Sequence, residues 1–224
     1  MFEDISRAKE KVGRYVQQRL ESFKELGSTG KTHYDFSPFL EVEFDADLFS
    51  ELAFCILTAN SSARLGIRIQ KLMMENPQLL DDVEALEKAI ASMGHRFARQ
   101  RAERIVKARQ NFERTLSLIR STKNSKEIRD LLSNANSRYK VEGFGLKEAS
   151  HFLRNIGYED VAIIDRHIFR FLMEKRLIPE YKTITRNLYF TAEKVLESIA
   201  RDMKLSLAEL DLYIFYIKTG KVLK

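Results

Sequence analysis

The chain has 224 residues, 44% of them hydrophobic, which is enough to build the core of one domain or of two small, closely packed ones. Lysine and arginine number 38 against 32 aspartates and glutamates, and the net charge of +6 suits a polyanionic partner without demanding one. A single cysteine, Cys55, excludes an intramolecular disulfide, and the absence of a signal peptide or of an apolar run near ~20 residues leads us to expect a cytoplasmic protein with no membrane contact.

Helical periodicity dominates the start of the chain. Apolar residues from Ile5 to Phe23 recur at helical spacing and predict a long amphipathic helix that ends at residues 27–30. Residues 27–45 contain two glycines and Pro38, so we predict a loop that crosses between domains.

The next predicted helix is apolar almost all round. It begins after Asp45 or Asp47 and runs to Ala59. A helix of this kind belongs in the interior of a protein. It therefore delivers the polar residue Asn60 from a rigid element, although on the residues alone a plain helix C-cap is the more common role for such an asparagine.

A turn at residues 94–97 precedes a long predicted helix that extends to Ile119. The start of this helix carries a cluster of basic side chains, namely Arg96, Arg99, Arg101, Arg104, Lys107 and Arg109. Such a cluster can neutralise phosphates, but a charge run is more commonly a solvated helix face. Phe97 lies at the junction of turn and helix, where an aromatic ring can stack on a nucleic-acid base or belong to the core.

Residues 139–157 form the most distinctive pattern. Gly143 and Gly145 predict a tight turn, because glycine accepts positive φ and lets another chain approach its backbone. An amphipathic helix then begins near Lys147 and stops at Gly157. A glycine turn followed by a helix N-terminus presents backbone N–H groups to an anion, most naturally a phosphate.

Asp165 follows the short apolar run 161–164 and is predicted to be the N-cap of a further helix, which continues to about Lys175. Two more helices complete the chain. One is capped by Thr185, and the last ends at Gly220.

Several of these segments resemble one family. Residues 141–147 are similar to the L-P-G-V-G-x-K hairpin of the helix-hairpin-helix DNA glycosylase superfamily. In its lyase members a catalytic lysine follows the hairpin, and a catalytic aspartate lies about eighteen residues further on. Here Lys147 follows the hairpin and Asp165 lies 18 residues after it. The wider match resembles the second type of 8-oxoguanine DNA glycosylase, found mainly in archaea. It is carried by residues 57–63, 94–97, 147–155, 162–167, 211–213 and 219–224.

The resemblance implies roles for residues that contact DNA. Asn60 is expected to fill the gap left by a flipped-out base and to contact the orphaned partner. His95 and Arg96 are expected to help hold the opened duplex. Gly143 and Gly145 are expected to bind the DNA backbone.

The resemblance also implies a pocket for the damaged base. Phe97 is expected to contact the flipped base, and Lys224 is expected to be ordered and to reach into the pocket. Phe215 stands where some relatives carry tryptophan, which this chain lacks. This difference keeps an aromatic face but loses the indole hydrogen-bond donor.

The presence of both Lys147 and Asp165 distinguishes a predicted enzyme from a non-catalytic DNA-binding module. A neutral lysine amine can attack C1′ of a deoxynucleotide, displace the base and form a Schiff base that permits β-elimination of the 3′ phosphate. Asp165 is expected to stabilise positive charge on the sugar and to assist proton transfers. We therefore expect a bifunctional glycosylase and abasic-site lyase that acts on double-stranded DNA containing 8-oxoguanine, with no cofactor and no metal site.

The predicted fold class is all-α, with two helical subdomains, a helix-hairpin-helix motif and an active-site cleft between them. Residues 46–156 form a central helical barrel, and residues 1–45 combine with 157–224. We expect a monomer that reaches the nucleoid by binding DNA. Two alternatives stay open: the same chemistry on another damaged base, and a non-catalytic helix-hairpin-helix DNA-binding module, which does not need Lys147 paired with Asp165.

Overall fold

The computed structural model describes residues 2–181 and 183–224, and helices dominate them, so the predicted all-α class is confirmed. The α-helices are α1 (Glu3–Thr29), α2 (Leu48–Thr58), α3 (Ala63–Glu75), α4 (Val83–Ser92), α5 (Ala98–Gln110), α6 (Phe112–Ser121), α7 (Ser125–Ser133), α8 (Leu146–Asn155), α9 (Arg166–Glu174), α10 (Arg186–Met203) and α11 (Leu207–Thr219). A short 3-10 helix spans Pro77–Asp81. Over the described ranges, no helix is long and apolar enough to cross a membrane.

The first helix ends within the predicted residues 27–30, so residues 27–29 belong to the helix and not to the predicted loop of residues 27–45. It continues through Gly27 to Thr29 and ends at Gly30, whose φ of +83° places it in the left-handed region. Gly27 is in the helix for a packing reason, because a Cβ there would lie 2.0 Å from the backbone oxygen of Ile156. The glycine therefore permits α1 to cross closely over the end of α8.

The predicted loop of residues 27–45 is wrong in part, because it contains most of a small antiparallel sheet. Strand β1 (Lys31–Asp35) pairs with β2 (Glu43–Asp47) in a register that places Tyr34 opposite Phe44. Alternate residues of both strands are buried. Each strand has five residues, too few for the alternation to stand out beside the glycines and proline of the segment.

Helix α2 lies at the centre of the molecule and packs against α3, α5 and α8. Residues 49–58 are all buried, as predicted. Of the two candidate caps, Asp47 is the N-cap, and its carboxylate accepts a hydrogen bond of 2.7 Å from the Ser50 N–H. Since α2 is fixed on all sides, the turn after it is delivered from a rigid element.

The long helix predicted up to Ile119 is divided into α5 and α6 at Asn111. The Asn111 side chain donates to the Lys107 carbonyl at 2.9 Å, a local bond that competes with the helical ladder. The break brings Phe112 against Phe49, with ring centroids 5.2 Å apart.

The helices at the two ends of the chain pack against each other. Helix α1 packs against α11, and α9 and α10 pack against α11 in turn. Gln17 on α1 donates to Glu209 on α11 at 2.8 Å, and Lys175 forms an ion pair of 2.8 Å with Asp4. A cleft lies where α8 faces the start of α9 and the end of α11.

Candidate active site

Two adjoining cavities occupy this cleft. The inner cavity, of about 270 Å³, is enclosed by residues of α8, α9, α11 and the last residues of the chain. The outer groove, of about 480 Å³, is more open and runs past the turn after α2 and the start of α8. The residues that line both are Thr58, Ser61, Lys147, Asp165 and His167. Lys147 and Asp165 thus lie where the inner cavity opens into the outer groove.

Lys147 is the second residue of α8, and its side chain is 25% exposed. The helix begins there because Gly145 is its N-cap, in an extended conformation at φ −103°. Gly143 is the glycine of the hairpin that needs positive φ, at +90°. The predicted turn followed by a helix N-terminus is therefore present, and it aims Lys147 into the cleft.

The hairpin satisfies part of its own hydrogen-bonding capacity. The Gly145 N–H donates to the Glu148 carboxylate at 3.0 Å, so a phosphate at this helix N-terminus would compete with Glu148. The Lys140 ammonium donates to the Ser133 carbonyl at 2.8 Å and to the Phe144 carbonyl. Burial lowers the pKa of Lys140. This ammonium ties the hairpin to α7.

Asp165 is the N-cap of α9, as predicted. Its Oδ1 accepts hydrogen bonds from the His167 N–H at 2.8 Å and from the Ile168 N–H at 3.1 Å. The second carboxylate oxygen takes no part in this capping. One residue can thus cap the helix and present a carboxylate oxygen to the cleft.

A buried ion pair that the sequence did not reveal lies beside Asp165. Arg154 of α8 binds Asp211 of α11, and both side chains are almost fully buried. Burial raises the pKa of Asp211 to about 6, the Arg154 guanidinium opposes this rise, and the Asp165 carboxylate adds to it. Arg154 also donates to Asn155. The pair joins α8 to α11 in the wall of the inner cavity.

Lys224 is buried and lines the inner cavity, but its ammonium is held in a separate socket. It lies 2.6 Å from Glu51 and 2.5 Å from the side-chain oxygen of Gln70, and 4.1 Å from the centre of the Tyr34 ring. Burial lowers the pKa of Lys224 to about 8, against the opposing effect of Glu51. The ammonium is therefore an anchor for this end of the chain.

Phe215 supplies an aromatic wall of the inner cavity. The ring is half-buried and meets His167 edge to face, with centroids 5.8 Å apart and an interplanar angle of 80°. Both residues line the inner cavity together with Asp165.

His95 is buried, so a role in holding an opened duplex would have to pass through the residues that it contacts. Its Nδ1 accepts a hydrogen bond from the Phe97 N–H at 3.2 Å, so Nε2 is the nitrogen that donates to the Leu57 carbonyl, at 2.9 Å. Arg96 beside it is exposed and lies over the Phe97 ring at 4.7 Å. His95 therefore positions its two neighbours.

Phe97 and Asn60 are on neighbouring loops. Asn60 is exposed, has a φ of +59° and lines the outer groove. Phe97 is half-buried and lies outside the walls of both cavities, as far as residues 2–181 and 183–224 define them. Arg101 connects the loops, since its guanidinium donates to the Ala59 carbonyl at 2.6 Å and lies 5.7 Å from the Phe97 ring.

Most of the basic cluster is already paired. Arg101 is buried, and three others form ion pairs: Arg99 with Glu87 and Glu103, Lys107 with Glu142, and Arg109 with Asp81. Arg96 and Arg104 have no ion-pair partner within the described part of the chain. The cluster predicted from the sequence is thus reduced to two arginines for contacts with an outside anion.

A metal site is not apparent in residues 2–181 and 183–224, where no group of three or more histidine, cysteine, aspartate and glutamate side chains is arranged to hold an ion. The side chains that line the cleft include an amine, carboxylates, two imidazoles and an aromatic ring.

The chain is similar over most of its length to proteins that share one description. A family model described as 8-oxoguanine DNA glycosylase matches residues 16–205. The 8-oxoguanine DNA glycosylase/AP lyase of Aquifex aeolicus is 59% identical over 223 residues, which cover 100% of this chain and 99% of that protein.

Solved structures give the same result. The crystal structure of Methanocaldococcus jannaschii 8-oxoguanine glycosylase/lyase in complex with a 15mer DNA containing 8-oxoguanine has a TM-score of 0.82 and 41% identity, and covers 99% of this chain and 98% of its own. The 8-oxoguanine DNA glycosylase of Thermotoga maritima also has a TM-score of 0.82, with 35% identity and coverage of 99% and 97%.

Proposed function

The chain belongs to the 8-oxoguanine DNA glycosylase family, and from this premise we propose that it excises 8-oxoguanine from double-stranded DNA and then cleaves the strand at the abasic site. The observation that carries the proposal is the place of Lys147 and Asp165, which both line the inner cavity and the outer groove. The smaller, less open cavity suits a base, and the more open groove suits the backbone that holds it.

In the proposed reaction the base leaves the stack and enters the inner cavity. The Lys147 amine attacks C1′ while the bond from C1′ to N9 breaks, and the base departs with the electron pair and takes up a proton. The sugar ring opens to a Schiff base on Lys147. Loss of a proton from C2′ then expels the 3′ phosphate, and water releases the enzyme.

Asp165 supports this sequence electrostatically. Positive charge develops on the sugar as the base leaves, and a carboxylate oxygen at the mouth of the cavity stabilises it. The same group can accept and return the protons that the elimination requires. The capping bonds to the α9 backbone hold the carboxylate in place for this purpose.

The contacts with DNA remain part of the proposal. Asn60, Gly145 and the exposed Arg96 are near the outer groove or the loop beside it, where a duplex would lie. Phe97, Phe215 and Lys224 are proposed for base recognition, with Lys224 acting through its backbone position since its ammonium is anchored. This DNA substrate implies a location at the nucleoid, in the cytoplasm.

We also propose the subdomain boundaries given by the sequence, residues 46–156 and residues 1–45 with 157–224. Their support is the packing of α1 on α11 and of α2 on α8. The small sheet straddles the boundary, because β2 extends from Glu43 to Asp47. We also propose a monomer, as expected from the sequence.

Borohydride trapping on a duplex that contains 8-oxoguanine tests the proposal. Wild type should give a covalent adduct and Lys147→Gln should give none, because borohydride reduces the Schiff base only where the amine exists. Lys194→Gln, at an exposed position of α10, is the matched control and should trap like wild type.

Two other outcomes would decide for the alternatives. Excision of other lesions in preference to 8-oxoguanine would assign the same chemistry to another damaged base. Binding without any adduct or released base, across a panel of lesions, would leave the non-catalytic binding module.

A further inference from the structure

His151 is a second functional candidate on α8, one helical turn beyond Lys147. Residues four apart on a helix share a face, so the imidazole lies on the side of α8 that carries the Lys147 amine. Both residues line the inner cavity. His151 is only 5% exposed, and it therefore belongs to the cavity wall rather than to the surface.

The imidazole has unused hydrogen-bonding capacity. By the distances and angles of a full hydrogen bond, Nδ1 and Nε2 have no partner among residues 2–181 and 183–224. The Lys224 backbone is close enough to act as a weak partner, and this contact opposes the lowering of the His151 pKa. Buried polar atoms normally have partners, and two such atoms on one ring are an exception that needs a reason. The neighbouring charges in the cavity are already engaged, Arg154 with Asp211 and the Lys224 ammonium with Glu51.

The charge state of the ring fits a neutral ligand. Burial, and then the positive charges of Arg154, Lys147 and Lys224, hold the pKa of His151 well below its usual value. A neutral imidazole has one N–H donor and one lone pair. The edge of a keto purine also combines donors and acceptors, whereas a phosphate offers acceptors only.

We propose that His151 contacts the flipped-out base through its imidazole nitrogens and is a specificity-determining residue of the inner cavity. This inference rests on the proposed function. A competing explanation is packing, because the ring meets Phe54 edge to face with centroids 5.2 Å apart. A purely packing role would be served as well by a phenyl ring.

The two half-reactions of the proposed enzyme separate these explanations. Single-turnover excision of 8-oxoguanine needs contacts with the base, and strand cleavage at a preformed abasic site does not. We would measure both reactions with wild type, His151→Gln and His151→Phe. His33→Gln, at an exposed position of β1, is the matched control and should leave both reactions unchanged.

The expected result is a loss of about 10- to 100-fold in 8-oxoguanine excision by both His151 variants, the amount that one or two lost hydrogen bonds represent. Cleavage of the abasic duplex should stay within about twofold of wild type, since the Lys147 chemistry is intact. Intact abasic cleavage also shows that a variant is folded. If His151→Phe does not fold, His151→Gln carries the test.

Two results would overturn the inference. Excision by His151→Phe at the wild-type rate would assign the ring to packing. Parallel loss of both reactions in His151→Gln would mean that the residue acts through the fold or through Lys147. If wild type neither excised the base nor cut the abasic site, the proposed function itself would fail.

Discussion

At the scale of single residues, Asp165 combines two roles that substitution can separate. Asparagine caps helices as well as aspartate does but cannot carry the negative charge. We expect Asp165→Asn to retain the stability of the protein and to lose about 10²–10⁴-fold in excision rate. Asp165→Ala should lose the same activity and also about 1 kcal/mol of unfolding free energy.

Single-turnover kinetics and urea denaturation on the same samples measure the two effects. An Asp165→Asn variant with nearly wild-type excision would contradict the catalytic role and leave the residue as a cap.

His151 makes stability depend on pH. Its pKa is well below 6.5 in the folded protein, so only the unfolded chain takes up this proton just below pH 6.5. The unfolding free energy should therefore fall as the pH drops below 6.5, by up to about 1.4 kcal/mol per unit, until the folded protein is protonated too.

Denaturation of wild type and His151→Gln between about pH 5 and 7 checks this expectation. The unfolding free energy of the variant should depend less steeply on pH, because the contribution of His151 is gone. His33→Gln is a control for which the pH effect has the opposite sign. Asp45 raises the pKa of the exposed His33, so the stability that His33 contributes is present at low pH and is lost as the pH rises. Equal slopes for wild type and His151→Gln would contradict the expectation.

At the scale of elements, two glycines of α1 should respond in opposite ways to substitution by alanine. A Cβ at Gly27 would lie 2.0 Å from the Ile156 oxygen, whereas one at Gly13 would lie 3.5 Å from the Tyr213 hydroxyl, an ordinary contact. Gly27→Ala should destabilise the protein by about 1–3 kcal/mol through overpacking. Gly13→Ala should stabilise it by about 0.5–1 kcal/mol, because alanine is the better helix residue.

Urea midpoints of the two variants against wild type test this pair. A Gly27→Ala protein as stable as wild type would show that α1 can shift away from α8 without cost.

Elements with a local signal were predictable from the sequence. The Asp165 cap, the Thr185 cap and the hairpin at Gly143 depend on neighbours within a few residues, and the structure places them as predicted. The sheet was missed because its pairing joins residues such as Tyr34 and Phe44 across a turn. Gly27 was included in the predicted loop although it is helical, because its contact with α8 joins residues far apart in the chain and leaves no local signal.

At the scale of the whole molecule, charge controls the encounter with DNA. Each phosphate neutralised by the protein adds about 0.9 to the slope of log affinity against log salt concentration. Arg96 has no ion-pair partner among the residues described, whereas Arg99 binds Glu87 and Glu103. Arg96→Gln should reduce the slope by about one, and Arg99→Gln should change it little.

Fluorescence anisotropy with a short duplex at several salt concentrations gives these slopes. Equal reductions for Arg96→Gln and Arg99→Gln would show that the ion pairs of Arg99 open when DNA binds.

The site as a whole was only partly predictable. Lys147 and Asp165 could be found because a motif and a spacing mark them in the sequence. The pairs Arg154–Asp211 and Lys224–Glu51 could not, because they join residues 57 and 173 positions apart and no local pattern records such contacts. Burial of the His151 ring likewise depends on the complete fold.

The meeting of α1 with α11 has a consequence during protein synthesis. At about 5–20 residues per second, roughly ten to forty seconds pass on the ribosome between the completion of α1 and the arrival of α11. During that time the apolar face of α1, from Ile5 to Leu26, lacks its α11 neighbour. The nascent chain is therefore a natural client for chaperones, and translation that stalls before α11 should yield a fragment prone to aggregation.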